Sequence, residues 1–328
     1  MGTNNQNNTT IDLSIVIPLY NEEQSLKELV DWINNTLKKE SINYEIIMID
    51  DGSTDNSWEI IRELSQKDSK IKAVKLNYNY GKSAALQTGF SIAQGKVVIT
   101  LDADLQDSPE EIPEMYKMII SENYDLVCGW KYHREDPFLS KKLPSKIYNF
   151  VVKKISKVNL HDMNCGLKAY SNSVVKNIEI YGELHRYIPI IAKNLGFTRI
   201  TEKKVKHYPR KYGKSKFGYE RFIRGFLDFL TITFLTKFSK RPMHFFGVFG
   251  LIMFFFGGSL TIYLLAEKVY KSLNNLPTRD VVNKPHFYIA LVFVILGVQL
   301  FLTGFLAELL IKYNPEKNKY IIKEKINC

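Results

Sequence analysis

The chain has 328 residues, room for one large domain or two, and sets 45 Lys and Arg against 34 Asp and Glu for a formal charge of +11 at a hydrophobic fraction of 45%. That balance favours anionic partners: nucleic acid, acidic lipid headgroups or phosphorylated substrates. Cys128, Cys165 and Cys328 are too few and too scattered for a disulfide framework or a zinc finger, and they fit a reducing compartment.

Residues 1–10 are Asn/Thr-rich and lack the basic and apolar regions of a signal peptide, so a disordered lead-in is expected there. Leu13 to Pro18 is a short apolar run, and Asn21 to Lys38 reads as a helix with Glu22 and Glu23 in its first turn and lysines in its last. Tyr44 to Ile49 is a second strand, followed by a helix from Asp55 to Gln66. Lys72 to Leu76 is a third strand, with a helix from Lys82 to Ala93 closed by Gly95. Val97 to Leu101 is the fourth. Ser108, Pro109 and Glu111 then open another helix as cap, first residue and capping box, before a fifth strand over Asp125 to Cys128. This alternation predicts an α/β fold with right-handed crossovers and a mostly parallel, doubly wound sheet.

In such sheets ligands bind outside the carboxyl ends of the strands. Three polar clusters fall at such ends: Pro18 to Glu22, Asp50 to Ser53, and Asp102-Ala103-Asp104. In an extended segment alternate residues point the same way, so Asp102 and Asp104 can reach one point, and two hard oxygen ligands suit Mg2+ or Mn2+ completed by substrate phosphates. Taken alone, the tripeptide reads equally well as a solvated turn. A Gly-x-Gly-x-x-Gly after the first strand is absent, and Gly81-Lys82-Ser83 fails as a P-loop because Leu76 stands where the motif needs Gly.

Phe217 to Phe238 carries apolar residues at helical spacing with Lys216, Arg221, Arg224 and Lys237 interleaved, and reads as an interfacial amphipathic helix rather than a core stripe. Met243 to Ala266 and Phe287 to Ala307 are apolar runs long enough to cross a hydrocarbon core of roughly 30 Å. Lys237, Lys240 and Arg241 precede the pair, and Lys312, Lys317, Lys319, Lys323 and Lys325 follow it. The connecting loop carries Lys268, Lys271, Arg279 and Lys284 against Glu267 and Asp280, so the positive-inside bias is modest and favours a hairpin with both termini cytoplasmic.

The series Ile17-Pro18-Leu19-Tyr20-Asn21-Glu22-Glu23, Asp50-Asp51-Gly52-Ser53-Thr54-Asp55, Asn79-Tyr80-Gly81-Lys82 and Asp102-Ala103-Asp104-Leu105-Gln106-Asp107-Ser108-Pro109-Glu110 resembles the family 2 glycosyltransferases with a GT-A fold. The likeness covers roughly residues 11–215. Within the family it is greatest to the dolichol-phosphate mannosyltransferase-like and bacterial polyprenyl-phosphate enzymes, including those with two C-terminal membrane helices. It implies that Pro18, Tyr20, Glu22, Asp51 and, more weakly, Lys82 hold the nucleotide, and that Asp102, Ala103 and Asp104 meet the diphosphate. Asp102, Asp104 and Gln106 would hold the Mg2+ or Mn2+, and Asp50 would be structural.

Gly129 to Arg134 resembles the segment where basic residues meet the lipid phosphate, which implies Lys131 and Arg134 as acceptor contacts, followed by Lys142 and Ser145. Lys141 and Lys146 flank these, on a helix whose lysines read equally well as a solvated face. Asp162 to Lys168 resembles a segment beneath the acceptor, with Asp162 as candidate base or orienter. Gly182 to Tyr187 resembles a Gly-x-x-His-Arg-(Phe/Tyr) signature, which implies Arg186 on the diphosphate or organising the site, while His185 reads equally well as a satisfied structural histidine. His207 to Lys216 resembles a loop closing over the nucleotide, with Arg210, Ser215 and Lys216 on the diphosphate. Asp104, Asp162 and Arg210 are then the catalytic set.

The resulting expectation is a GT-A domain over 11–215 and juxtamembrane amphipathic helices over 216–241. A transmembrane hairpin follows over 242–311, with spans about 243–266 and 287–309, and then a basic tail over 312–328. The implied enzyme sits in the bacterial inner membrane with its catalytic domain cytoplasmic. It inverts a hexose from a UDP- or GDP-linked donor onto a polyprenyl (undecaprenyl) phosphate. Its partners are nucleotide sugar, polyprenyl phosphate and membrane lipid; nucleic acid is not among them, and a homo-oligomer is left open. Two alternatives stay beside this reading: a membrane glycosyltransferase that extends a glycan or lipid-linked saccharide, and a catalytically silent lipid-carrier scaffold.

Overall fold

The computed structural model describes residues 11–132, 158–212, 242–277, 279–313 and 322–327. These fall into two compact units, a sheet domain and a pair of long helices.

The sheet domain opens with β1 (Leu13–Leu19), α1 (Leu26–Leu37), β2 (Tyr44–Asp50), α2 (Ser57–Lys67), β3 (Ile71–Leu76), α3 (Lys82–Ile92) and β4 (Val97–Thr100). A 3-10 turn at Pro109–Glu111 leads into α4 (Ile112–Ile120) and β5 (Leu126–Lys131). Then come β6 (Lys168–Ser171), α5 (Asn172–Asn177), α6 (Ile188–Asn194) and β7 (Ile200–Val205). The sheet runs β7-β5-β6-β4-β1-β2-β3-β8, where β8 is Ile322–Ile326. β1, β2, β3 and β4 are mutually parallel, as the alternation predicts. β6 enters antiparallel between β4 and β5, and β7 is parallel to β5.

Every residue of β1 and β2 is buried, because helices cover both faces of a parallel sheet. Leu26, Leu29, Val30, Ile33 and Leu37 of α1 share one cluster with Ile15, Ile17, Ile46 and Met48. The alternate residues Val16 and Ile49 face α3, whose Gly89 lets the helix axis approach so closely that a Cβ there would overlap Val16.

Two local expectations give way. α1 begins at Leu26 rather than Asn21, because the backbone N–H groups of residues 21–23 are taken by another loop: Asn21 donates to Ser53 Oγ (2.9 Å), Glu22 to Ser57 Oγ (3.0 Å) and Glu23 to Asp55 Oδ2 (3.2 Å). Asn21 itself is left-handed (φ 54°), which Asn tolerates. The capping box does not form either. Ser108 Oγ accepts from Glu110 N (3.4 Å), while Glu111 turns away to pair with Lys203.

The segment expected as a basic tail returns to the sheet. β8 pairs antiparallel with β3, Ile326 packs against the core, and Asn327 Nδ2 donates to the carbonyls of Ser65 and Ile71 (3.3 Å each). The alternation Ile-Lys-Glu-Lys-Ile is strand-like, and it covers an edge that would otherwise expose its N–H and C=O groups.

The second unit consists of α7 (Pro242–Leu273, 32 residues) and α8 (Pro285–Tyr313, 29 residues). At 1.5 Å per residue each exceeds roughly 40 Å, long enough to cross a membrane. They pack on glycines seven apart. A Cβ at Gly250 would overlap the Gly297 carbonyl, one at Gly257 the Ala290 carbonyl, and one at Gly304 the Phe246 side chain. Phe255, Ile262, Val292 and Leu302 face outward, and the charges of α7 gather at its connecting end, where Glu267 pairs with Lys271 and Lys284 (2.6 Å each). The amphipathic helix expected over 217–238 lies outside the described residues.

Candidate active site

β1 is followed by β2 and β3 on one side, while β4 pairs on the other. The crevice between the carboxyl ends of β1 and β4 is therefore the switch point where an α/β sheet takes its ligand. Pro18, buried in β1, lies beyond the last β4 partner, Val16 opposite Thr100, so its missing N–H breaks no ladder on that side.

Asp102 and Asp104 emerge from β4 with side chains 30% and 17% exposed. Between Asp104 and Gln106, Leu105 is left-handed (φ 60°) and buried, a strained conformation for a bulky residue, held by its surroundings. Burial, then the neighbouring charge of Asp102, pushes the Asp104 carboxyl above its ordinary value. Two crowded acids call for a cation, and cations flank them: Lys82 Nζ is 2.5 Å from Asp102 Oδ1, and Arg210 Nη2 is 3.5 Å from Asp104 Oδ2. Among the described residues no group of three or more His, Cys, Asp or Glu forms a metal cage. A pair of hard carboxylates fits Mg2+ or Mn2+ only where substrate phosphates complete the shell. Gln106 turns its amide to the Tyr208 carbonyl (Nε2 to O 3.3 Å).

Gly166 lies directly against the Asp102 carboxylate, and Thr100 Oγ1 fixes that turn by donating to the Gly166 carbonyl (2.7 Å). A Cβ would overlap the carboxylate itself, which can rotate away. Gly166→Ala is therefore expected to leave the fold intact but raise the Mn2+ concentration for half-maximal activity by about tenfold or more, as loss of ligand orientation does. A titration of activity with Mn2+ checks this, and an unchanged midpoint refutes it.

At the end of β2, Asp50 is fully buried and accepts from Ser53 N (2.8 Å), the structural role expected of it. Asp51, expected on the nucleotide, spends both carboxylate oxygens on the next loop: Oδ1 accepts from Tyr80 N and Oδ2 from Gly81 N (2.8 Å each). Its burial outweighs those donors and lifts it from 3.8 to about 6. The folded carboxyl thus holds its proton more tightly than the unfolded one. Ionisation destabilises the fold fully above pH 6, and the penalty disappears as pH falls towards 3.8. The stability of the wild type relative to Asp51→Asn should accordingly grow by about 2 kcal/mol between about pH 8 and pH 4.5. Thermal unfolding of both proteins across that range tests it; parallel curves would remove Asp51 as the titrating group.

Tyr20 is half-buried just past β1, and Glu22 Oε1 accepts from Arg210 Nη2 (2.7 Å). Arg210, from the segment after β7, thereby spans the ends of β1 and β4. Lys82 begins α3 behind Gly81 (φ 94°). His185 docks on the same helix, its Nδ1 3.0 Å from Ser83 Oγ and its N–H donating to that oxygen (3.1 Å), the structural reading of this residue. Arg186 pairs with Glu183 (2.8 Å). Asp162 is buried and accepts from Asn164 N (3.0 Å). Lys131 is only 13% exposed and pairs with the buried Asp107 (3.3 Å). Arg134, Lys142, Ser145, Ser215 and Lys216 lie outside the described residues.

The sequence reading missed the packing of Gly166 on Asp102, the burial of Lys168 over the Cys165 carbonyl, and Asp107 as a partner of Lys131 and His207. No local pattern announces them.

Comparison with known proteins bears on the family and the fold. The sequence model of the glycosyl transferase family 2 domain matches residues 14–179. Dodecaprenyl-phosphate galacturonate synthase of Rhizobium johnstonii is 34% identical over 320 residues, 96% of this chain and 93% of that protein. Undecaprenyl-phosphate 4-deoxy-4-formamido-L-arabinose transferase of Aeromonas hydrophila is 36% identical over 304 residues, covering 92% and 89%. Among solved structures, glucosyl-3-phosphoglycerate synthase from Mycobacterium tuberculosis in complex with Mg2+ and uridine-diphosphate superposes with a TM-score of 0.52 at 19% identity, over 66% of this chain and 79% of that one. That likeness is one of fold.

Proposed function

Because the chain belongs to glycosyl transferase family 2, we propose that it moves a sugar from a nucleotide sugar onto a polyprenyl phosphate, at the cytoplasmic face of a bacterial inner membrane. The observation that carries the reading is the meeting of Asp102, Asp104, Glu22, Lys82 and Arg210 at one switch point, in a chain that also bears two membrane-length apolar helices. Relatives named as polyprenyl-phosphate sugar transferases over almost their whole length support the acceptor class. The chain leaves the sheet domain, makes two long helices and returns to the same sheet as β8, which supports a hairpin with both ends on one side.

In this reading Asp102 and Asp104, with Gln106, hold a Mg2+ or Mn2+ that, when bound, neutralises charge on the leaving diphosphate. Arg210 and Lys82 add fixed cationic donors beside it in a partly dry site. Pro18, Tyr20, Glu22 and Asp51 shape the nucleotide end; Arg186 and Lys216 belong to the same proposed donor set. An oxygen of the lipid phosphate forms the bond to the anomeric carbon as the bond to the diphosphate breaks, and the electron pair leaves with the nucleoside diphosphate. Configuration inverts. A phosphate monoester is largely dianionic at pH 7, so the acceptor needs orientation more than deprotonation, and Asp162 is the proposed base or orienter beneath it. Lys131, Arg134, Lys142 and Ser145 are the proposed acceptor side.

Membranes containing the protein, incubated with undecaprenyl phosphate and a panel of radiolabelled nucleotide sugars, should yield label in the lipid extract for one sugar class. The panel includes glucose, mannose, galactose, N-acetylglucosamine, galacturonic acid and 4-deoxy-4-formamido-L-arabinose donors. Label appearing only in longer glycans would favour an extending transferase, and none at all a silent scaffold.

A further inference from the structure

We propose that Asp107 is a positioning residue that ties the segment carrying Arg210 to the loop carrying Asp104. Asp107 lies three residues past Asp104 and is 1% exposed. Two side chains from other elements meet its Oδ1: Lys131 Nζ, from the last residue of β5, at 3.3 Å, and His207 Nδ1, just after β7, at 3.2 Å. The backbones are joined there as well. Asp107 and His207 form an antiparallel bridge, Tyr208 N donates to the Gln106 carbonyl (2.8 Å), and Gln106 Nε2 donates to the Tyr208 carbonyl (3.3 Å).

The chain runs only three residues from His207 to Arg210, whose guanidinium reaches Glu22 at 2.7 Å and Asp104 at 3.5 Å. A long side chain can be aimed only as well as its backbone is held, and an error of about 1 Å at a reacting centre costs on the order of 100-fold in rate. The Asp107 clamp supplies that hold from both directions. It fixes the loop after the strained Leu105, and it fixes the root of the Arg210 segment. The competing view is that Asp107 only neutralises Lys131. Burial opposes the charge of that lysine, but Asp107, with smaller help from other acids, carries its pKa above the ordinary value. That view gives Asp107 no reason to bond the Arg210 segment through both side chain and backbone.

The proposal rests on Arg210 and Asp104 being donor contacts, and a double-mutant cycle separates the two questions. Asp107→Asn and, independently, His207→Ala are each combined with Arg210→Ala in the full-length protein. His207→Ala leaves the Lys131–Asp107 pair intact and carries the test if loss of the carboxylate unfolds the chain. Each single variant is expected to lower kcat/KM for the nucleotide sugar by about 10- to 100-fold, chiefly through kcat. In the Arg210→Ala background the same changes should cost less than about 3-fold, because the group they aim is gone. The thermal shift produced by Mn2+ with a nucleoside diphosphate should show the same coupling without turnover. Equal penalties in both backgrounds would overturn the proposal. A wild type that binds Mn2+ and nucleoside diphosphate with this coupling, yet labels no lipid, would instead overturn the proposed acceptor.

Discussion

Asp104→Asn is expected to lower sugar transfer by at least about 1,000-fold, roughly 4 kcal/mol of transition-state stabilisation, while leaving the protein as stable as the wild type or more so. The two effects run in opposite directions for one reason. Asp104 is largely buried beside Asp102, and burial together with that neighbouring charge raises its pKa, so the ionised carboxylate is a liability to the fold. Asparagine keeps the shape and removes the charge. It also removes half of the hard-oxygen pair that would share a divalent cation with the diphosphate. The measurement is labelled lipid formed at saturating Mn2+, together with the thermal unfolding midpoint in EDTA. An inactive but equally or more stable variant is the expected result. A variant that unfolds would make Asp104 structural, and wild-type transfer that persists in EDTA would remove the metal from the mechanism.

Arg210→Ala should follow closely, with a loss of about 100- to 1,000-fold, the range seen when one preorganised charge-stabilising donor is removed. The guanidinium reaches the carboxyl end of β1 through Glu22 and that of β4 through Asp104, the two strands that border the switch point. Lysine keeps the charge but puts a compact ammonium on a shorter stem where the planar guanidinium reaches both carboxylates, so Arg210→Lys should recover less than about a tenth of the activity. The deficit should appear chiefly in kcat, with weaker inhibition by the nucleoside diphosphate product and with KM for the polyprenyl phosphate unchanged. A variant whose defect lies wholly in acceptor KM would move Arg210 to the other substrate.

Much of the sheet domain is legible from local pattern. The apolar runs of β1 to β5 and the intervening amphipathic helices are written in the period of their own residues, and right-handed crossovers then force the acidic strand ends to one edge. The two long apolar helices are equally plain, since length and the absence of charge suffice. Less visible were elements defined by their neighbours. β6 is a four-residue strand inserted antiparallel between β4 and β5, and β8 becomes a strand only by meeting the open edge of β3. The start of α1 was misplaced because side chains of residues 53–57, not residues 21–25, decide where the backbone N–H groups go.

The sequence alone determined the chemistry on offer: paired carboxylates after a buried strand, a Lys at a helix start, basic residues beyond, and an apolar hairpin. Each of these is carried by residue type and short spacing. Tertiary structure alone decided who meets whom. Arg210 reaches Glu22 across 188 residues, His207 reaches Asp107 across 100, and Thr100 holds the Gly166 turn across 66. Such pairs leave no local trace, because the energy that makes them comes from burial and charge pairing that exist only once the sheet has closed around them. Asp107 shows the difference most plainly: in the sequence it is one more acid in a turn, and in the fold it is the buried anchor joining the loop of Asp104 to the segment of Arg210.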